Sequence, residues 1–186
     1  MKKILFLHLL AAIFPSFALA QTPSPSDAMM PSTPAANLVM YNLPYPGLLP
    51  DNILYPLKTF RDKIISFFIS DPAKKASFDL LQSDKRIAAA QALAKEEKGK
   101  DSLVVSTVSK AENYFEEAIA QANEAKKQGE DISSLWGQMK DATLKYDEVL
   151  TDMMTNGSPS LKQGLESQEA RVKGFEKTLN AGTMTK

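Results

Sequence analysis

The side chains in this sequence that could carry acid–base chemistry are carboxylates and phenols. Adjacent glutamates stand at Glu96-Glu97 and Glu116-Glu117, and Tyr146 lies inside a helical pattern. Two acids flanking a cleft are all that a glycosidase-like mechanism requires. Neighbouring positions on a helix, however, point about 100° apart, so neither pair converges by itself and a solvated helix face is the preferred reading. Tyr146 falls on an apolar seam and reads as core rather than as an acid catalyst.

The chain has no cysteine, and its one histidine is His8, inside the N-terminal leader. Beyond that leader there are no disulfides, no thiol or imidazole nucleophiles and no donors for the usual zinc sites. Helical di-iron sites need Glu-x-x-His pairs, which do not occur, and there is neither an EF-hand loop nor a glycine-rich phosphate loop. The sequence therefore assigns no catalytic residue, no cofactor and no metal, and it reads as non-enzymatic. One polar cluster remains: Arg61, Asp62, Asp71, Asp84, Lys85 and Arg86. Its expected role is an ion pair of Arg61 with Asp71 or Asp84 that fixes helix register. Met139, Met153 and Met154 suit an adaptable binding face, although Met139 and Met153 fall on a seam and are more simply core.

The elements that would position these groups begin after a leader. Lys2 and Lys3 precede an apolar run from Ile4 to Phe14, then Pro15 and Ala18-Leu19-Ala20. This is the order of a secretory signal peptide over residues 1–20, with the small residues Ala18 and Ala20 placing cleavage before Gln21. The apolar run is shorter than the roughly 20 residues that cross a bilayer, so no integral membrane segment is expected after cleavage, and the product is expected to be soluble and secreted or periplasmic. The chain carries 22 basic and 22 acidic residues. Loss of Lys2 and Lys3 leaves a slight acidic excess, and overall charge steers the protein neither to nucleic acid nor to anionic lipid. Residues 21–40, rich in proline, serine and threonine, read as a disordered tether.

From there the composition turns to alanine, lysine and glutamate, and the expected fold class is all-α: an elongated antiparallel bundle of about five helices in one domain over 41–182. Asp71-Pro72 starts helix two, which stops at Lys98-Gly99; Asp101 opens a third ending at Gln128-Gly129. Asp131 precedes a fourth, about 132–155, and Ser158-Pro159 a fifth, about 159–180. Seams with alternating steps of four and three run through Val104, Val108, Ala111, Phe115, Ala118, Ala122 and Ala125, and recur around Met139 and Tyr146 and around Leu165 and Val172. Helix two offers a small-residue seam through Ala76, Ser83 and Ala90. A shorter first helix presents a bulky face of Leu57, Phe60, Ile64 and Phe67. Short loops make consecutive helices antiparallel neighbours.

Ahead of that helix, "NLPYPGLLPDNILYPLK" combines four prolines with leucines and tyrosines. Pro44, Pro46 and Pro50 hold the chain extended, and Leu43, Tyr45, Leu48, Leu49 and Tyr55 are expected to pack as a strap along the groove between two helices. The rival reading is an exposed ligand for a proline-recognising partner. Asp51 or Asn52 is expected to cap the first helix, with Pro56 in its first turn.

Leu43-Pro44 to Asp51, Tyr55 to Lys58, Arg61, Asp71-Pro72, Lys74-Lys75-Ala76 and Asp84-Lys85-Arg86 together resemble a bacterial family of exported domains of unknown function. The resemblance covers about Tyr41 to Ala94 well and the third helix more loosely, a family-like core of about 41–128. A proline is expected where this chain has Ile53. The resemblance implies an extracytoplasmic helical domain and supplies no catalytic residue, cofactor or ligand; it marks Pro44, Tyr45, Pro46, Asp51, Tyr55, Pro56, Arg61, Asp71, Pro72, Asp84 and Arg86 as structural motif positions.

Two functions fit. One is a structural or protein-interaction module held out on its tether, with a protein partner or self-association through the heptad seams. The other is a periplasmic chaperone or envelope-stress adaptor that holds unfolded clients. The leader reading predicts that the protein recovered from the extracytoplasmic fraction begins at Gln21. Intact mass measurement checks this, and a chain still carrying residues 1–20 would overturn it.

Overall fold

A computed structural model of the chain describes residues 40–96 and 99–182. The expected leader, with Ala18, Ala20 and Gln21, and nearly all of the expected tether lie outside the described residues. The helices are α1 Tyr55–Phe68, α2 Pro72–Glu96, α3 Asp101–Lys127, α4 Ser133–Asn156 and α5 Pro159–Gly182, with no strand among the described residues. The all-α bundle expected from periodicity is the one found.

The stop and start signals act as chemistry requires. Pro72 is the first residue of α2, and Asp71 Oδ1 accepts the Lys74 backbone N–H at 3.0 Å, satisfying one of the helix's orphan donors. Ser158 Oγ does the same for Leu161 in α5 at 3.0 Å. Gly99 and Gly129, with φ of 101° and 88°, turn the chain after α2 and α3 in the left-handed region that side chains disfavour. Asp101 is the first residue of α3 rather than its cap, and Asp131 accepts the Ser133 N–H from just outside α4. At α1 the expected cap is not made. Asn52 Oδ1 accepts the Leu54 N–H in a local turn, Leu54 occupies the cap position without a side-chain bond, and Asp51 pairs with Lys100 at 2.8 Å.

The seams of α2 to α5 form one core. Val104, Val108, Ala111, Phe115, Ala118, Ala122 and Ala125 of α3 are all essentially fully buried, with Met139, Tyr146 and Val149 of α4 and Leu165, Val172 and Leu179 of α5. Burying a large apolar side chain contributes about 1.5–3 kcal/mol before ordering costs. Phe115 packs edge-on against Tyr146, with ring centres 5.4 Å apart, and tilted against Phe175 at 5.2 Å. Trp136 donates its indole N–H to the Leu179 carbonyl at 2.9 Å, pinning the start of α4 to the end of α5.

The two hairpins α2/α3 and α4/α5 are antiparallel, as short loops dictate. They stack so that α3 lies beside α5 and α2 beside α4, and each of these pairs runs parallel. Asp101 meets Ser158, and ten or more residues further along both helices Glu112 meets Arg171. Likewise Asp84 meets Tyr146, and farther on Gln91 and Ala94 lie near Asp152 and Met153. The consecutive helices α3 and α4 face each other across the core instead of lying side by side.

Parallel α3 and α5 come close enough at Gly164 that a Cβ there would sit 2.6 Å from Val105 Cγ2. Gly164→Val should therefore lower the unfolding free energy by about 1–3 kcal/mol through overpacking. Gly174→Ala, where a Cβ meets open space, should raise it by up to about 1 kcal/mol through helix propensity. Urea midpoints for the two variants check this, and equal shifts would refute the close approach.

Candidate functional site

Three features remain once the apolar core is accounted for, together with an ion pair between α3 and α5. The seam of α2 faces the bundle, while Asp79, Gln82, Asp84 and Arg86 are buried on its other sides. Buried charge costs stability unless it is hydrogen-bonded or paired, so each must be traced to its partners.

Asp84 is bound from two directions. Tyr146 of α4 donates its phenolic O–H toward Asp84 Oδ1 at 2.7 Å and lies 2.9 Å from Ser83 Oγ, while Tyr41, ahead of the helices, donates to Asp84 Oδ2 at 2.7 Å. Burial pushes the Asp84 carboxyl up from the usual carboxylate range, and the two phenolic bonds oppose that shift. Burial and the adjacent carboxylate hold Tyr146 and Tyr41 well above the ordinary phenol value, so both remain O–H donors.

The second feature is a polar layer between α1, α2 and α3. Arg86 stacks 4.1 Å from the centre of the Tyr114 ring, a cation–π contact, and its Nη1 lies 3.3 Å from the Gln82 carbonyl and side-chain oxygens. Both carboxylate oxygens of Asp79, and Nε of Arg86, are buried with no hydrogen-bond partner among the described residues. Desolvation first, then Glu117, raises the Asp79 pKa from 3.8 to about 6. A third buried acid, Glu112 of α3, faces α5, where Arg171 Nη1 lies 3.3 Å from its Oε2 and the Gln168 amide is placed to donate to it. Arg171 also holds Glu116 at 2.7 Å and Asn113 at 2.9 Å. Burial raises the Glu112 pKa from 4.5 to about 7, with Arg171 pulling it back down.

The third feature is α1 itself. At 100° per residue, Leu57, Phe60, Ile64, Phe67 and Phe68 fall within an arc of about 100°, and this arc faces outward, with Phe67 82 % exposed. The opposite arc, Tyr55, Thr59, Asp62 and Ser66, faces inward, and Asp62 is only 3 % exposed. The bulky face expected to join the bundle thus points away from it. α1 lies beside Arg86 of α2 and Tyr114 of α3, near enough for the Asp62 charge to help raise the Tyr114 pKa. Between α1 and the preceding segment runs a groove of about 770 Å³ with apolar walls, including Leu48, Leu57 and Ile64, and the cations Lys58, Arg61 and Lys85.

The motif residues divide accordingly. The expected pairing of Arg61 with Asp71 or Asp84 is not made: Arg61 bonds Asp62 at 2.7 Å, Asp71 is engaged as a helix cap and by Lys74, and Asp84 is taken by two tyrosines. Pro44 is half-buried beside Leu43, and the Pro46 carbonyl accepts Lys58 Nζ at 2.7 Å. Tyr41, Leu43 and Leu49 pack on the core, but Tyr45 and Leu48, expected to be buried with them, are exposed, at 84 % and 39 %, on either side of the left-handed turn at Gly47, whose φ is 72°. Tyr55 is half-buried with Lys58 Nζ 5.6 Å from its ring centre, and Pro56 lies in the first turn of α1. Met139 and Met153 are core. Glu116 and Glu117 are exposed, and no three acidic or histidine side chains gather as metal ligands would among the described residues. Sequence reasoning missed the Glu112–Arg171 contact. Its signal was present, since Glu112 follows the seam residue Ala111 and Arg171 precedes the seam residue Val172, the flanking positions where interhelical ion pairs form.

These buried acids set a pH dependence. A carboxyl whose pKa is higher folded than unfolded binds its proton more tightly in the fold, so its cost is fully present above the folded pKa and vanishes below the unfolded one. Stability should therefore rise as pH falls from about 7 toward 4.5. Glu112→Gln should flatten part of that rise, read from denaturant midpoints across the range; an unchanged profile would refute the assignment.

Comparison with known proteins adds one match. Residues 47–154 fit the family model described as a domain of unknown function, covering α1, α2, α3 and all but the last two residues of α4. The match reaches further along the chain than the motifs that suggested it, and it includes Tyr146, the partner of Asp84. No curated protein and no solved structure matches the chain. Because the fit spans more than half the chain, this protein belongs to the family described as Domain of unknown function (DUF5667).

Proposed function

We propose that this chain is an exported, non-enzymatic interaction module in which the α2–α5 bundle is a scaffold and α1 is the docking element. The observation that carries this reading is the inverted polarity of α1: its acid turns inward and five large apolar side chains turn outward. An exposed apolar patch of this size marks an interaction surface, and nothing in the bundle requires these side chains for its own core. The leader pattern in residues 1–20 supports export. The buried carboxylates support scaffold roles over catalysis, since Asp84 and Glu112 are both occupied by partners from neighbouring helices.

A holdase for unfolded clients would use the same outward face. It would suppress aggregation of a model client at near-stoichiometric ratios and bind without regard to charge, whereas a specific module would not protect the client.

Phe60→Ser with Phe67→Ser should leave the unfolding midpoint within about 0.5 kcal/mol of the parent, the range of surface substitutions, while abolishing association with the envelope fraction of expressing cells. Fractionation with circular dichroism on the purified variant measures both. Retained association would place the docking surface elsewhere, and an unfolded variant would make α1 part of the core.

A further inference from the structure

We infer that the outward face of α1 binds the surface of a membrane containing anionic phospholipid. The inference rests on the reading of α1 as the docking element and names its partner. Two observations carry it, one of shape and one of charge.

The apolar arc of Leu57, Phe60, Ile64, Phe67 and Phe68 is bordered on one side by Arg61 and on the other by Lys63. Aromatic and aliphatic side chains between two basic margins make the pattern of a helix lying in the plane of a bilayer interface, its apolar side sunk about 5–10 Å and its cations reaching up to lipid phosphates. At 14 residues α1 is about 21 Å long, too short to cross a hydrocarbon core of about 30 Å; it can lie on the membrane but not span it.

The charge is asymmetric in the same direction. α1 carries Lys58, Arg61 and Lys63 against one carboxylate, Asp62, and that carboxylate is turned inward and buried. The adjoining groove is lined by Lys58, Arg61 and Lys85 with no acidic side chain. Lys58 is committed to the Pro46 carbonyl and Arg61 is bonded to Asp62, which leaves Lys63 and Lys85 as the cations most able to reach a phosphate. A chain neutral as a whole thus concentrates positive charge around its exposed apolar side chains. A second copy seated on the same face would bring like charges together, whereas an anionic bilayer complements Lys63, Lys85 and the apolar strip.

The test is co-sedimentation of the protein with vesicles of phosphatidylcholine and phosphatidylglycerol in equal parts, and with phosphatidylcholine alone. The parent should bind the mixed vesicles at least tenfold more tightly than the neutral ones, because each lysine or arginine near an anionic surface adds attraction, and salt should weaken the binding. Phe60→Ser with Phe67→Ser should weaken it on both vesicles by about tenfold or more. Lys63→Glu, a surface change that leaves the apolar strip and the fold alone, should weaken it about tenfold on the mixed vesicles only. Whatever precedes residue 40 is the same in all these proteins, so differences between them report on α1. Equal binding by parent and variants would overturn the inference. So would absence of vesicle binding alongside α1-dependent dimerisation in sedimentation velocity. Absence of vesicle binding with α1-dependent envelope association intact would also overturn it, while leaving the docking role of α1 standing with a protein as its partner.

Discussion

The carboxylate of Asp84 is the joint on which the rest of this structure depends. One oxygen takes the Tyr146 hydroxyl from α4 and the other takes the Tyr41 hydroxyl from the chain ahead of α1. Both oxygens of this buried acid are thereby satisfied, and leaving one of them unbonded would cost about 1–3 kcal/mol. Both donors arrive from elements distant in sequence, so satisfying this one group holds α2 beside α4 and the segment at Tyr41 against α2. The joint thereby adds to the Asp101–Ser158 and Glu112–Arg171 contacts that join the two hairpins.

The same requirement explains the unusual placement of α1. α2 is buried on several sides, and its Asp79, Gln82 and Arg86 form a polar layer, an unfavourable surface for an apolar helix face. α1 presents Asp62 and its small polar neighbours to that layer and is left with its apolar side in water. In an isolated domain each exposed phenylalanine and leucine forgoes the stabilisation of burial, roughly 1.5–3 kcal/mol. The polarity of α1 is therefore explained by what lies beneath it, and its outward face by what it meets outside the domain.

Three carboxyls sit inside this scaffold at raised pKa: Asp79, Asp84 and Glu112. Asp84 joins α2 to α4 and Glu112 joins α3 to α5, while Asp79 lies buried on α2 with no hydrogen-bond partner among the described residues. The only histidine of the chain is His8, so near neutrality the described part of the protein responds to acid through carboxyls, and in the stabilising direction. The acids at the exposed ends of elements, Asp51, Asp71 and Asp131, have pKa values lowered by hydrogen bonds from Lys100, Lys74 and Ser133. Their contributions disappear only at lower pH, below the window in which the buried acids act.

The sequence by itself determined the helices and most of the core. Proline and glycine act locally, on φ and on the backbone N–H, so Pro72, Pro159, Gly99 and Gly129 could be read as boundaries without knowing the fold. Seam periodicity is equally local, and the seam positions of α3 are all buried. Only the tertiary structure decided which hairpin lies against which, because a heptad seam identifies a buried face without naming its partner. It also decided that Arg61 turns to Asp62 while Asp84 takes two tyrosines, since residues with similar local patterns compete for partners only after the chain has folded. The bulky stripe of α1 marks the limit of such reading: amphipathicity shows that a helix has two sides, but which side faces inward is set by the chemistry of the surface beneath it, and here that surface is polar.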